Sequence, residues 1–117
     1  MFQNDSSALL QTFLSYFPPA DLAEILISLY FSRSNSVFPL FHRPTFDRQW
    51  HDGLHHRNIL FACVCTCLFA VASRWCNDER VLPEDSKRGN GELDWRKAGR
   101  QYFELGVGLS NTLSSFS

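Results

Sequence analysis

The sequence predicts an all-α domain of about four to five helices, and three observations carry that prediction. Apolar residues recur at the helical period of about 3.6 residues in three separate segments. A fourth segment, Ile59 to Arg74, is apolar almost throughout and longer than an ordinary strand. No two alternating segments are joined by a hairpin turn.

Composition sets the frame for that fold. The chain has 117 residues and is 44% hydrophobic and 15% aromatic, enough for one domain, or part of one, with a genuine core. So many aromatics exclude wholesale disorder, and Gly 6 with Pro 5 excludes a collagen-like or low-complexity chain. Eleven basic residues stand against twelve acidic ones, a net charge of −1. A domain that grips phosphates carries a clear cationic excess, so this segment alone is not expected to hold DNA or RNA. Lys87-Arg88 and Arg96-Lys97 with Arg100 read as solvated surface. The opening Met1-Phe2-Gln3-Asn4-Asp5 lacks a basic start and an apolar run, so no secretory leader is expected and the four cysteines are read as free intracellular thiols.

The elements follow in order. Asp5 or Ser6 is expected to cap a first helix bearing Leu9, Leu10, Phe13, Leu14 and Phe17, which Pro18-Pro19 ends. Pro19 can open a second helix, with Asp21 in its first turn and Leu22, Ile25, Leu26, Leu29 and Tyr30 on one stripe. It should end near Arg33, before Ser34-Asn35-Ser36. Val37 to Phe46 holds two prolines and reads as a connector anchored by Phe38, Phe41 and Phe46. A short helix from Pro44 to Trp50 or His51 follows, with Asp47 in its first turn. Asp52-Gly53 and His55-His56-Arg57-Asn58 make a loop.

Ile59 to Arg74 is predicted to be a buried helix, capped by Asn58 and with Arg74 at its negative pole. It would rise about 24 Å, short of the ~30 Å a membrane core requires, so no membrane association is expected. Asn77 to Gly91 reads as a polar surface loop, mobile over Lys87 to Gly91. A last helix from Leu93 or Asp94 should place Trp95, Ala98, Tyr102 and Leu105 inward and Arg96, Lys97 and Arg100 outward. Gly106-Val107-Gly108 should stop it, leaving Leu109 to Ser117 as a frayed serine-rich tail.

The helix Ile59–Ala72 is apolar on nearly every side and needs neighbours all round. Its predicted neighbours cover about three sides, and leaving three or four large side chains in water would forgo roughly 5–10 kcal/mol. The sequence therefore predicts either the first part of a larger helical domain or a homodimer closed through that helix.

Catalytic and metal-binding chemistry is thin. Cys63, Cys65 and Cys67 alternate within a helix, so they cannot converge on one tetrahedral zinc and read as small core residues. Cys76 lies beyond the helix end without a His or Lys activator and is expected to be exposed. His51 and His55 are four apart, but Gly53 between them makes loop histidines the better reading. His42 is expected to hydrogen-bond within its own connector or to a helix end. Asp78-Glu79 and Glu84-Asp85 are loop carboxylates. There is no G-x-S-x-G, P-loop or H-E-x-x-H, and Gly106-Val107-Gly108 has no strand before it. No catalytic, cofactor-binding or metal residue is assigned, and an enzyme is not expected.

One resemblance adds to this. Ile27-Ser28-Leu29-Tyr30-Phe31, then Val37-Phe38-Pro39-Leu40-Phe41-His42-Arg43-Pro44-Thr45-Phe46, resembles the opening of the fungal-specific transcription factor domain. This is the middle homology region of Zn2Cys6 (binuclear zinc cluster) regulators, also called the xylanolytic activator regulatory domain. Ala70, Ala72 and Arg74 resemble the close of its small-residue apolar helix on an arginine, and Ala98 with Tyr102-Phe103-Glu104 matches a later one. The match spans about Pro18 to Glu104.

The resemblance implies a helical regulatory segment of a nuclear transcription factor, covering the N-terminal part of the domain over 18–104. A helix at 1–17 precedes it, and an unstructured or aberrant tail follows over 105–117. The zinc cluster, with its C-x2-C-x6-C halves, is not in this sequence, so DNA contact and zinc belong only to a full-length relative. Partners implied are the remainder of the regulatory domain or another protein, met through the apolar helix. The alternative reading is a free-standing adaptor that homodimerises through Ile59–Ala72.

Overall fold

The computed structural model describes residues 2–35, 41–86 and 89–115, and its architecture is all-α. Five α-helices occur among the described residues: α1 (Phe2–Leu14), α2 (Ala20–Leu29), α3 (Arg43–His51), α4 (Ile59–Ala72) and α5 (Arg100–Ser115). α4 is the central element, with α5 antiparallel beside it and α1, α2 and α3 completing its cover.

Helix α1 starts earlier than expected, so Asp5 and Ser6 lie inside it instead of capping it. Further along α1, Leu10 and Phe13 sit in a small core with Ala62 of α4 and Leu109 of α5. Phe17 falls in the turn beyond α1 and sets its ring edge-on to Phe69, 5.4 Å between centroids. Pro19 is the residue before α2, not its first. The buried face of α2 is Leu22, Ala23, Leu26, Ile27 and Tyr30, while Ile25 is 43% exposed and Leu29 half-buried. The stripe has thus rotated from the predicted one, because two adjacent pairs face the core.

The chain leaves α2 through one π-helical turn, Tyr30–Ser34, closed by Asn35 N–H donating to Tyr30 O at 2.9 Å. The extra residue in that turn re-aims Arg33 and Ser34 relative to a plain α-helix. Of the predicted aromatic anchors, Phe38 lies outside the described residues. Phe41 and Phe46 do anchor: Phe46 is buried, with the rings of Phe31, Phe41 and Phe61 at 5.7, 5.7 and 5.4 Å. His42 is the extended residue before α3, and its Nδ1 hydrogen-bonds Thr45 Oγ1 at 2.9 Å. Asp47 falls in the second turn, not the first, because α3 begins at Arg43. It pairs there with Arg43 one turn back.

Gly53, at φ +75°, turns the chain out of α3 into a 3-10 turn, Leu54–His56. His55 is not a loop histidine. Its ring is buried, stacked on Trp50 at 3.9 Å and facing Phe17 at 6.2 Å. Its Nδ1 is buried without a hydrogen-bond partner among the described residues. Burial therefore lowers its pKa to about 4, with the charges of His56 and Arg57 adding to the effect.

Helix α4 starts where the sequence predicts, with Asn58 Oδ1 accepting from Phe61 N–H at 3.0 Å as its cap, but it ends at Ala72, and Arg74 falls in a 3-10 turn, Ser73–Trp75, that tightens the chain beyond it. Phe61, Ala62, Cys65, Thr66, Leu68, Phe69 and Ala72 are buried, yet Leu60 remains 67% exposed. The molecule measures 50 × 34 × 23 Å, and 23 Å is about two helix diameters.

Residues 77–86 are not a free loop. Val81 is fully buried, Arg80 bonds both Asp21 of α2 (3.1 and 2.8 Å) and Asp78 (2.8 Å), and Gly99 N–H donates to Val81 O. The Arg80 hydrogen bonds hold the Asp21 carboxyl below its usual range and Asp78 at about 2. Lys87-Arg88 lies outside the described residues.

The last helix differs most from expectation. A 3-10 turn, Trp95–Lys97, breaks at Gly99 (φ +82°), and α5 then runs from Arg100 to Ser115, straight through Gly106-Val107-Gly108. The boundary at 104/105 is therefore no structural boundary. A Cβ on Gly106 would lie 2.6 Å from Thr66 Oγ1, so its bare backbone is what lets α5 close on α4. Thr66 cannot turn aside freely, since its hydroxyl donates to Cys63 O at 2.7 Å. Leu109, assigned to the tail, is buried against α1 and α4.

Three outcomes follow for stability. Phe46→Ala should cost about 3–5 kcal/mol in denaturant melts and His42→Ala far less. Gly106→Ala should destabilise by about 1–3 kcal/mol, whereas Gly108→Ala, with open space at its Cβ, should stabilise by up to about 1 kcal/mol. For His55 the unfolded chain takes up a proton near pH 6.5 and the folded one only near 4. Stability from this group is therefore complete above 6.5 and falls, by up to about 3 kcal/mol, as pH drops towards 4. His55→Phe should flatten urea-melt stability over that window.

Candidate interaction surface

Sequence-flagged chemistry does not assemble. Cys63 Sγ faces α5, at 3.8 Å from Gly106 O and 3.7 Å from Ser110 Oγ. Cys65 is fully buried in the main core, Cys67 is exposed, and Cys76 is buried instead of exposed because the chain beyond α4 joins that same core, with Val81 and Tyr102. Cys63 and Cys67 share a face of α4 while Cys65 points into the core, so the set does not fit a tetrahedral zinc ion. Among the described residues no three His, Cys, Asp or Glu side chains converge as metal ligands. Burial pushes the Cys65 thiol well above its ordinary value, as expected of a core residue. His51 is exposed and lies 3.6 Å from Glu24, apart in role from the buried His55. Asp78 caps the turn Glu79–Val81, Asp85 pairs with Lys97 and Arg100, and Asp94, itself buried, caps the turn Trp95–Lys97.

What the fold does assemble is an open apolar face. α5 closes on α4 along Cys63, Thr66 and Ala70, and sends Tyr102, Leu105 and Leu109 to the core side. Residues 60, 64, 67 and 71 of α4 fall one position around the helix, at the 4-3-4 spacing of a packing seam. Leu60, Cys67 and Val71 on that seam are exposed, and Val64 is half-buried. On α5, Phe103 and Val107 are exposed beside it.

This face deepens at one end into a groove of about 960 Å³. Its walls are Val71 near the end of α4, Trp75 just beyond it, Phe103 on α5, and Trp95 in the turn before α5. Trp75 is 53% exposed and is fixed in place, its Nε1 donating to Ser34 Oγ at 3.0 Å while the Arg33 guanidinium stands 6.0 Å from its ring. The π-helical turn is what brings Arg33 and Ser34 there. Trp95, expected on an inner face, stays in water because the break at Gly99 rotates the turn Trp95–Lys97 away from the α5 register.

Five cations border the groove: Arg33, Arg74, Arg96, Lys97 and Arg100. Among the described residues no acidic side chain lines it. Asp94 pairs with Arg96, and Asp85 with Lys97 and Arg100, but Arg33 and Arg74 have no carboxylate partner among the described residues. Sequence reading saw three of these as ordinary surface and missed the groove. The cations come from three distant stretches of chain, and no periodicity links them.

No helix among the described residues is long and apolar enough to cross a membrane. Compared with protein families, with characterised proteins and with solved structures, the chain matches none.

Proposed function

We propose that this chain is a non-catalytic, regulatory interaction segment of a nuclear transcription regulator of the fungal Zn2Cys6 class. It corresponds to the N-terminal part of that class's regulatory domain. The observation that carries the interaction role is the open apolar face of α4 and α5, with Leu60, Val71, Phe103 and Val107 in water. A contiguous face of that kind marks a binding surface more often than it marks bare exterior. The class rests on the resemblance of residues 27–31 and 37–46, supported by Ala70, Ala72, Arg74 and Tyr102-Phe103-Glu104. On this reading DNA and zinc are held by a separate zinc cluster module, and no residue here contacts either.

The test is transcriptional. The full chain, fused to a heterologous DNA-binding module, should change reporter output several-fold relative to the module alone. Unchanged output at matched nuclear protein level would overturn the regulatory reading.

A further inference from the structure

We infer that the groove between Val71, Trp75, Trp95 and Phe103 is a docking site for an acidic, amphipathic helix of a partner protein. This rests on the chain being an interaction module, but not on that module acting in transcription.

Shape and length come first. The groove continues into the seam Leu60, Val64, Cys67 and Val71, which spans about 16 Å along α4 at 1.5 Å per residue. A linear apolar trough about three helical turns long, ending in a wider pocket with two indoles, fits the apolar stripe of one helix with a bulky anchor at its end. Aromatic anchors seated in such pockets carry a large share of binding energy.

Charge then selects the partner. The chain as a whole carries −1, yet five of its eleven basic residues border this one groove. Against them stand Asp85 and Asp94, with Glu104 on Arg100 at 3.5 Å, which leaves a surplus carried by Arg33 and Arg74. Acidic side chains flanking an apolar stripe would meet those two guanidiniums at the rim, where Arg forms bidentate pairs with carboxylates. A second copy of the chain fits poorly. A two-fold contact sets a patch against itself, and here cation surplus would face cation surplus. Nucleic acid also fits poorly, since two uncompensated cations beside an apolar wall are too few to hold a phosphate backbone.

Three synthetic probes decide the matter: an amphipathic peptide of about four turns with Leu and Phe on one face and Glu on its flanks, its counterpart with Lys flanks, and a single-stranded oligonucleotide. Binding to the full chain is read by anisotropy, and by the indole N–H resonances of Trp75 and Trp95. The acidic peptide should bind, shift both indole signals more than that of Trp50, and weaken as salt rises. The double variant Arg33→Glu, Arg74→Glu, both at exposed positions, should keep its circular dichroism. It should bind the acidic peptide about tenfold more weakly and prefer the Lys-flanked one. Equal binding of both peptides to the parent chain would overturn the proposal, as would tighter binding of the oligonucleotide. So would a concentration-dependent dimer, seen by sedimentation, that shields the same indoles. If the variant lost its helix signal, Phe103→Ser would take its place and should abolish the indole shifts. Peptide binding without any reporter effect would leave this inference standing and the transcriptional reading refuted.

Discussion

The structure depends on one constraint, the cover that α4 demands. Fourteen consecutive residues, Ile59 to Ala72, carry hardly a polar side chain beyond Thr66, and that hydroxyl is satisfied within the helix by Cys63 O. Nothing in such a helix prefers water, so every other element is placed by where it can shield part of it. α2 and the π-helical turn take one side, α5 another, and the stack of Phe17, His55 and Trp50 seals a third by way of Phe69. The remaining side is the seam that stays in water.

Close approach, more than bulk, makes the α4–α5 contact. Two glycines of α5 and its approach sit directly on α4: Gly99 over Ala70 and Ser73, and Gly106 over Thr66. A missing Cβ lets backbones come nearer than side chains would allow, which extends van der Waals contact along both helices. The same proximity explains why α5 persists through a Gly-x-Gly. The helical propensity lost at two glycines, about 1 kcal/mol each, is small beside the burial of Tyr102 and Leu109 on either side of them.

The groove is a by-product of two irregularities in the chain. The extra residue of the Tyr30–Ser34 turn swings Arg33 and Ser34 onto Trp75, and the left-handed backbone at Gly99 turns Trp95 outward. Each departs from a regular helix next to the same surface. The open face proposed to bind partners thus lies where the backbone is least ideal, an arrangement common where a fold carries a site.

The all-α class, the start of α4, its Asn58 cap, the Phe46 anchor and the role of His42 were legible in the residues, because each depends on neighbours within a few positions. Local chemistry also dictated that α4 would keep an uncovered side. Only the tertiary structure decided the rest. It buried His55 and Cys76, tied residues 77–86 down through Arg80 and Val81, and carried α5 past Gly108. It also gathered Arg33, Arg74 and Arg96 around one groove. In every such case the deciding partner lies far away in sequence: Asp21 for Arg80, Thr66 for Gly106, Phe17 for His55. Pattern and propensity describe what a segment can do alone. Which of its options wins is set by the free energy of contacts that exist only once the chain has closed on itself.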